Sequence, residues 1–258
     1  MKNLEELIAI VRKLRSPDGC MWDREQTHES LRPNMLEEAY EAVDAIDEKN
    51  CEHLKEELGD VLLQVVLHSQ IADDNGEFDI EDVAKNLNKK LVHRHPHVFG
   101  NTKVNSTQDV LNNWDKLKAE EKTERKSVMD GISKSQSALM SAQKISKRAV
   151  KTGFEWNCVD SLYDCINSEF EEFKEAVSNN DKDNMEEELG DILFAIVNLA
   201  RWYKIDAEQA LLKSNKKFIK RFKTMEKLAT KPLNEYSFNE YDVLWNSAKK
   251  ELSKNNGN

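Results

Sequence analysis

Hydrophobic positions along this 258-residue chain recur mainly every three or four residues, which is the spacing of an amphipathic helix. The first such run contains Leu4, Leu7, Ile8, Val11 and Leu14, and it ends at the turn-forming segment 16–19. The same periodicity predicts further helices over 36–46, 52–73, 80–94, 106–126, 138–150, 161–177, 184–203, 207–228 and 240–252. We therefore predict an all-α fold.

Composition agrees with this fold class, because the chain contains only 8 glycines and 4 prolines. One polar segment, "SVMDGISKSQS", separates two groups of helical patterns. We predict two tandem helical-bundle domains, residues 1–127 and 138–258, joined by a linker over 128–137. The chain is long enough for each domain to bury its own core.

An acid-bearing apolar segment occurs twice, as "EELGDVLLQVV" at 56–66 and as "EELGDILFAIV" at 187–197. Four acids in each half keep the same register, since every pair differs by 131 positions. In chain order they are Glu38, Glu41, Glu57 and Asp60, and then Glu169, Glu172, Glu188 and Asp191. The repeat indicates a duplicated domain with one copy of a site in each half.

The spacing of these acids predicts a metal site. Acids three residues apart share a helix face, and the 16 positions from Glu41 to Glu57 allow a helical hairpin that brings both pairs together. Clustered carboxylates repel one another unless a cation neutralises them, and oxygen ligands suit Mg²⁺ or Mn²⁺. The competing interpretation is a solvated acidic face paired with lysines.

A basic segment also recurs, as "NKKLVHR" at 88–94 and "NKKFIKR" at 215–221. Its cationic positions are spaced i, i+3 and i+4, so each trio shares one helix face that suits phosphate oxygens. The residues are Lys90, His93 and Arg94, and then Lys217, Lys220 and Arg221. Trp114 and Trp245 follow these segments and suit stacking on a nucleobase, although a solvated basic face and core tryptophans remain open.

Charge and hydropathy argue against two classes of partner, nucleic-acid polymers and membranes. The formal net charge of −10 argues against a nucleic-acid polymer as the ligand, whereas small phosphorylated ligands stay possible. The sequence contains no apolar run of about 18 residues, and acids interrupt the N-terminal segment, so we predict a cytoplasmic protein without a membrane span. The 4 cysteines form no CxxC pair, which favours reduced thiols.

Six segments of the chain are distinctive as a set, namely "GCMWDREQTHESL", "LEEAYEAVDAI", "EELGDVLLQVV", "HRHPHVFG", "EEELGDILFAIVNLAR" and "NKKFIKRF". Together these motifs resemble the MazG family of nucleoside triphosphate pyrophosphohydrolases. This resemblance extends through nearly the whole chain. It implies tandem MazG domains, a homodimer, and Mg²⁺-dependent hydrolysis of NTPs or dNTPs to the monophosphate and pyrophosphate, with catalysis in the C-terminal domain.

By position, the resemblance also implies roles for individual residues. Glu169, Glu172, Glu188 and Asp191 would bind Mg²⁺; Lys217, Lys220 and Arg221 would hold the triphosphate; and Trp245 would lie at the nucleoside. Lys90 and Arg94 are the corresponding candidates in the first half. We expect Glu172 to orient or deprotonate the attacking water.

Two other functions are compatible with the same residues. A non-catalytic sensor would use the acids to hold a metal–nucleotide complex without hydrolysing it. A helical adaptor would present its repeated acids to a basic partner protein. Release of pyrophosphate distinguishes the enzyme from both.

Overall fold

The computed structural model describes residues 2–121 and 126–255. The chain divides into two compact units, Met1–Thr123 and Glu124–Asn258, which we call the first and second units. All regular structure in the described residues is helical, with twelve α-helices and one short 3₁₀ helix, so the predicted all-α class is confirmed. None of the helices in the described ranges is long and apolar enough to cross a membrane.

Seven helices lie in the described part of the first unit. They are α1 (Lys2–Arg15), α2 (Met21–Glu25), α3 (Arg32–Glu48), α4 (Cys51–Asp74), α5 (Ile80–Arg94), α6 (Pro96–Phe99) and α7 (Thr107–Glu120). The sequence pattern did not predict the short helices α2 and α6, since each spans barely one turn and shows no periodicity. Residues 122–125, which the predicted helix over 106–126 includes, lie outside the described residues.

Over residues 126–255, the second unit contains five α-helices. They are α8 (Ala138–Val150), α9 (Val159–Ser178), α10 (Lys182–Trp202), α11 (Ala207–Leu228) and α12 (Phe238–Asn255), with the 3₁₀ helix Leu233–Glu235 before α12. Val128 and Asp130 precede α8 in the chain. Their carbonyls accept hydrogen bonds of 2.8 Å from Arg148, which lies in α8. The start of the predicted linker therefore contacts α8. The predicted domain and linker boundaries remain predictions.

The same turn reverses the chain between α3 and α4 and between α9 and α10. Lys49 and Asn180 have left-handed backbones, with φ of 55° and 53°. Each is followed by an N-cap residue. The Asn50 side chain accepts from the backbone N–H groups of Glu52 and His53, and the Asp181 side chain accepts from that of Asn184. Both pairs differ by 131 positions, so the duplicated turn sets the same register for the acids in each hairpin.

Each hairpin packs on a small apolar core of its own unit. In the first unit, the buried cluster consists of Val11, Leu31, Val66, Leu67 and Ile71. In the second unit, Leu162, Ile166 and Ala195 are buried, and Trp156, Leu199 and Trp202 pack against them. Burial of one helix face fixes the rotation of α4 and α10, and therefore where their acids point.

Gly59 and Gly190 lie within α4 and α10, where glycine costs about 1 kcal/mol relative to alanine. A close packing neighbour would explain a glycine there. In this structure, however, a Cβ atom built at either position meets no atom within 4 Å beyond its chain neighbours and the backbone of its own helix. Packing within the described chain therefore does not require these glycines.

Candidate active site

The second unit gathers carboxylates where α9 passes α10. Glu169 and Glu172 lie on α9, and Glu188 lies on α10. One oxygen from each of these three side chains lies within 4.8 Å of the other two. Asp191, the fourth predicted acid, lies about one turn further along α10, and its charge acts on Glu188. We call these four residues the second acid cluster.

The first unit contains the matching arrangement. Glu38 and Glu41 on α3 and Glu57 on α4 place one oxygen each within the same 4.8 Å. Asp60 lies about one turn after Glu57, and its charge acts on Glu38. These four residues form the first acid cluster. In both units the hairpin thus brings together three of the predicted acids, with the aspartate beside them.

Electrostatic strain accompanies both clusters. Burial, followed by the charges of Glu172, Glu169 and Asp191, raises the pKa of Glu188 above its usual value of 4.5. Burial and neighbouring carboxylates likewise raise the pKa of Glu38 and Glu41. These shifts have the sign expected when carboxylates repel one another without a compensating cation.

The donor atoms fit a hard divalent cation. Glu57 is only 7 % exposed, and its Oε2 atom has no hydrogen-bond partner within the described chain. A buried carboxylate oxygen without a partner is costly, and a bound cation would satisfy it. All ligand candidates in the second acid cluster are carboxylate oxygens, which suit Mg²⁺ or Mn²⁺.

Neighbours on α9 orient two of the carboxylates. Ser168 donates a hydrogen bond of 2.9 Å from its hydroxyl to Glu172 Oε1. Cys165 donates from its thiol to Glu169 Oε1 at 3.6 Å, and burial raises the pKa of that thiol. The cysteine therefore stays protonated as a weak donor, and both glutamates are held in place on the helix.

A cavity of about 740 Å³ opens beside the second acid cluster. Two members of the second acid cluster, Glu169 and Asp191, line this cavity. Three aromatic side chains, Trp156, Phe154 and Phe194, contribute to its largely apolar wall. Its size falls within the range of pockets that hold small ligands, which run from about 300 to 1,000 Å³.

A polar network closes one side of this cavity. Arg201, whose side chain is 9 % exposed, forms a two-pronged ion pair with Glu155 at 2.5 and 2.6 Å. Its Nε atom also donates to Ser146 at 2.6 Å, and the Ser146 hydroxyl donates to Asn198 Oδ1 at 2.6 Å. This network attaches the loop before α9 to α8 and α10 and lowers the pKa of Glu155 through the arginine hydrogen bond.

Corresponding positions of the first unit carry different side chains. Ala195 and Asn198 match Gln64 and Leu67, because 195 − 64 and 198 − 67 both equal 131. Gln64 and Leu67 are buried, at 5 % and 4 % exposed. Larger or apolar side chains thus occupy, in the first unit, positions that line the cavity in the second.

The predicted basic face of the second unit lies on α11. Lys217 and Lys220 are exposed, and the Arg221 guanidinium lies 5.9 Å from the centre of the Trp245 ring. Phe218 packs on the same ring, with centroids 5.2 Å apart. None of the four predicted nucleotide-binding residues here forms a hydrogen bond or ion pair with the second acid cluster, as far as the structure describes them.

In the first unit, the matching arginine already has an acidic partner. Arg94 is almost fully buried and makes a two-pronged ion pair with Glu121, beside the Trp114 ring at 5.0 Å. The arginine hydrogen bond is the main reason that the pKa of Glu121 falls to about 2. By the register of the tryptophans, 245 − 114 = 131, the position matching Glu121 holds Leu252. Lys90, the other predicted residue, is exposed.

Sequence reasoning missed the cavity and its polar network. The signal that could have found them is the exchange of Gln64 for Ala195 and of Leu67 for Asn198 between otherwise similar helices. Polar-for-apolar and large-for-small exchanges in a repeat mark places where the copies differ in packing. The sequence shows these exchanges, but that Ala195 and Asn198 line a cavity with Glu169 and Asp191 depends on how the helices pack.

Comparisons with known proteins agree with this architecture. The MazG nucleotide pyrophosphohydrolase domain matches residues 26–99 and 158–225, one region in each unit. A Thermotoga maritima protein named nucleoside triphosphate pyrophosphohydrolase/pyrophosphatase MazG is 49 % identical over 95 % of this chain and 95 % of its own length. An Escherichia coli protein named nucleoside triphosphate pyrophosphohydrolase is 42 % identical over 88 % of this chain and 89 % of its own.

A longer relative is also similar. The uncharacterized protein YabN of Bacillus subtilis is 47 % identical over 93 % of this chain, which covers 50 % of that protein. Both family regions contain the acid-bearing hairpin. With two matched regions and these relatives, the chain belongs to the MazG nucleotide pyrophosphohydrolase family.

Proposed function

We propose that this chain hydrolyses nucleoside triphosphates to the monophosphate and pyrophosphate, and that the second acid cluster carries the reaction. One observation supports this most directly: three carboxylates from two helices converge within 4.8 Å beside a cavity of about 740 Å³. A cation site next to a ligand-sized cavity suits a substrate with a charged triphosphate and an uncharged nucleoside. Membership of the family and the names of the relatives point the same way.

Glu169, Glu172, Glu188 and Asp191 are the proposed ligands of Mg²⁺, with Mn²⁺ as a substitute. When bound, the metal supplies charge neutralisation on the triphosphate and acidifies the attacking water. Glu38, Glu41, Glu57 and Asp60 are the proposed ligands of a second metal site in the first unit.

Glu172 is the proposed general base. Ser168 donates to one of its oxygens at 2.9 Å, which holds the side chain in place. The carboxylate orients a water for in-line attack on the α-phosphorus and accepts its proton. Pyrophosphate leaves with the electrons of the broken bond, and no covalent intermediate with the protein is needed.

The nucleoside is proposed to enter the cavity beside Glu169 and Asp191. Trp156, Phe154 and Phe194 offer aromatic surface on which a base can stack. The sequence pattern instead suggests that Lys217, Lys220 and Arg221 hold the triphosphate and that Trp245 lies at the nucleoside. Trp245 does not line this cavity, so the cavity and the Trp245 ring are competing sites for the base. In the first unit, Lys90 and Arg94 are the matching candidates, and Arg94 must leave Glu121 to bind a phosphate.

We also propose a homodimer. α10 exposes Leu189, Leu193 and Ile196 beside the acids, with Leu193 52 % exposed. A contiguous apolar helix face of this kind marks a protein interface. Close approach of a second chain, or of the substrate, would also account for the glycines in α4 and α10. Location in the cytoplasm and the absence of a nucleic-acid partner stay predictions from the sequence.

Replacing Glu172 by glutamine should lower the rate of pyrophosphate release by about 10²-fold or more, because the amide cannot accept the proton of water. The assay uses eight NTPs and dNTPs with Mg²⁺, and Glu41→Gln is the matched control in the first unit. Loss in Glu172→Gln alone supports the proposal. Bound nucleotide without pyrophosphate release from the wild type would favour the sensor, and neither binding nor release would favour the adaptor.

Glu188→Gln should raise the melting temperature of the metal-free protein at pH 7. Because the pKa of Glu188 is raised in the folded chain, its ionised form destabilises the fold, so stability falls as the pH rises above about 4.5. Mg²⁺ should raise the melting temperature of the wild type more than that of the variant. The control is Glu186→Gln, an exposed acid on the same helix; equal behaviour of the two variants would contradict the prediction.

Ala195→Gln should raise KM for nucleoside triphosphates by about tenfold or more, because it places in the cavity the larger side chain that the first unit carries. Hydrolysis of methyl triphosphate, which has no nucleoside, should change little. The matched control is Gln64→Ala in the first unit, with folding checked by circular dichroism. An unchanged KM in Ala195→Gln would exclude the cavity as the nucleoside site.

Sedimentation of the purified protein should give the mass of two chains, where one chain has a mass of 29.8 kDa. Leu193→Lys should shift the protein towards that single mass, because the ammonium group disfavours burial at the interface. Lys182→Glu, an exposed charge at the start of α10, serves as the control. A wild type that sediments as a monomer at micromolar concentration would refute the dimer.

A further inference from the structure

A histidine distinguishes the first acid cluster from the second. His53 lies one turn before Glu57 on α4, and its Nε2 atom is 3.0 Å from Glu57 Oε1. The matching position of the second unit holds Asn184, since 184 − 53 = 131. In each hairpin, a residue with a left-handed backbone and then an Asn or Asp N-cap precede this position. His53 and Asn184 therefore occupy equivalent places in the two hairpins.

The distance suits two ligands of one cation. Donor atoms about 2.1 Å from an ion in octahedral geometry lie about 3.0 Å apart when they are adjacent. Glu57 Oε1 and His53 Nε2 have that separation in the ion pair that they form. The other carboxylate oxygen, Glu57 Oε2, is buried without a hydrogen-bond partner in the described chain, and Glu38 and Glu41 place oxygens within 4.8 Å of Glu57.

The second ring nitrogen has the partner that ligating histidines usually have. His53 Nδ1 lies 3.2 Å from Glu48 Oε2. A histidine that binds a metal through one nitrogen commonly donates the N–H of the other to a carboxylate, which selects the tautomer and fixes the ring. Glu48 therefore favours a proton on Nδ1. Nε2 is paired with Glu57 Oε1, so a cation that binds Nε2 takes the place of the proton between these two atoms, and that proton is released to solvent. The residue matching Glu48 is Asn179, so the second unit lacks both parts of this arrangement.

We propose that His53 is a metal ligand of the first acid cluster and makes it a mixed nitrogen–oxygen site selective for a divalent transition metal. An imidazole nitrogen binds Mn²⁺, Co²⁺ or Zn²⁺ better than Mg²⁺, which prefers oxygen. The second acid cluster, with oxygen ligands only, keeps the preference for Mg²⁺. The two copies of the duplicated site thus differ in metal selectivity through a single side chain, oriented by Glu48.

The test measures binding of Co²⁺ and of Mg²⁺ to the chelator-treated full chain by calorimetry, without nucleotide. His53→Asn introduces the side chain of the second unit, and His95→Asn is the control at a histidine that bonds a backbone carbonyl. In His53→Asn, the affinity of one site for Co²⁺ should fall by about tenfold or more, with Mg²⁺ binding nearly unchanged. His95→Asn should leave both unchanged.

A spectroscopic measurement assigns the ligand directly. Electron spin echo envelope modulation of the Mn²⁺-loaded chain should show a coupled imidazole nitrogen in the wild type and lose it in His53→Asn. Unchanged Co²⁺ affinity and nitrogen coupling in that variant would overturn the proposal. Tighter binding of both ions would overturn it as well, because the imidazole would then compete with the metal. Neither result bears on pyrophosphate release, so failure here is separable from failure of the proposed function.

Discussion

Repulsion among carboxylates that two packed helices force together is the constraint on which the site depends. Burial of the apolar faces of α4 and α10 leaves Glu57 and Glu188 no freedom to turn away from the acids opposite them. The duplicated turn, with its left-handed residue and its capping side chain, fixes the register so that the carboxylates meet. A cation is the simplest way to relieve the resulting strain, and membership of a nucleotide pyrophosphohydrolase family gives that cation a use.

Around this shared frame the two units have diverged in three ways. Side chains that line a cavity in the second unit correspond to the buried Gln64 and Leu67 in the first. In the first unit, Arg94 forms an ion pair with Glu121. In the second unit, the position matching Glu121 holds Leu252. A histidine joins the acids only in the first hairpin, where the second has Asn184. Together these differences favour substrate hydrolysis in the second unit and a separate role, tied to metal binding, in the first.

Local periodicity was sufficient to predict most of the fold. The predicted bounds 80–94, 138–150 and 207–228 coincide with α5, α8 and α11, because amphipathic spacing and capping residues define them within the segment itself. Convergence of the acids also followed from their spacing and from the repeat. The cavity did not, because it depends on how three helices and a loop pack. The contact between His53 and Glu57 was not predicted, because the matching position holds Asn184 and the repeat therefore gives no signal for a histidine at the site.

Crystallisation with Mn²⁺ and an NTP analogue that carries a nitrogen bridge between the α- and β-phosphorus atoms tests the central claim most directly. The account predicts an anomalous Mn²⁺ peak coordinated by Glu169, Glu172 and Glu188, with the triphosphate on the ion and the base inside the cavity of the second unit. Ordered analogue bound away from these carboxylates, with no Mn²⁺ between α9 and α10, would contradict it.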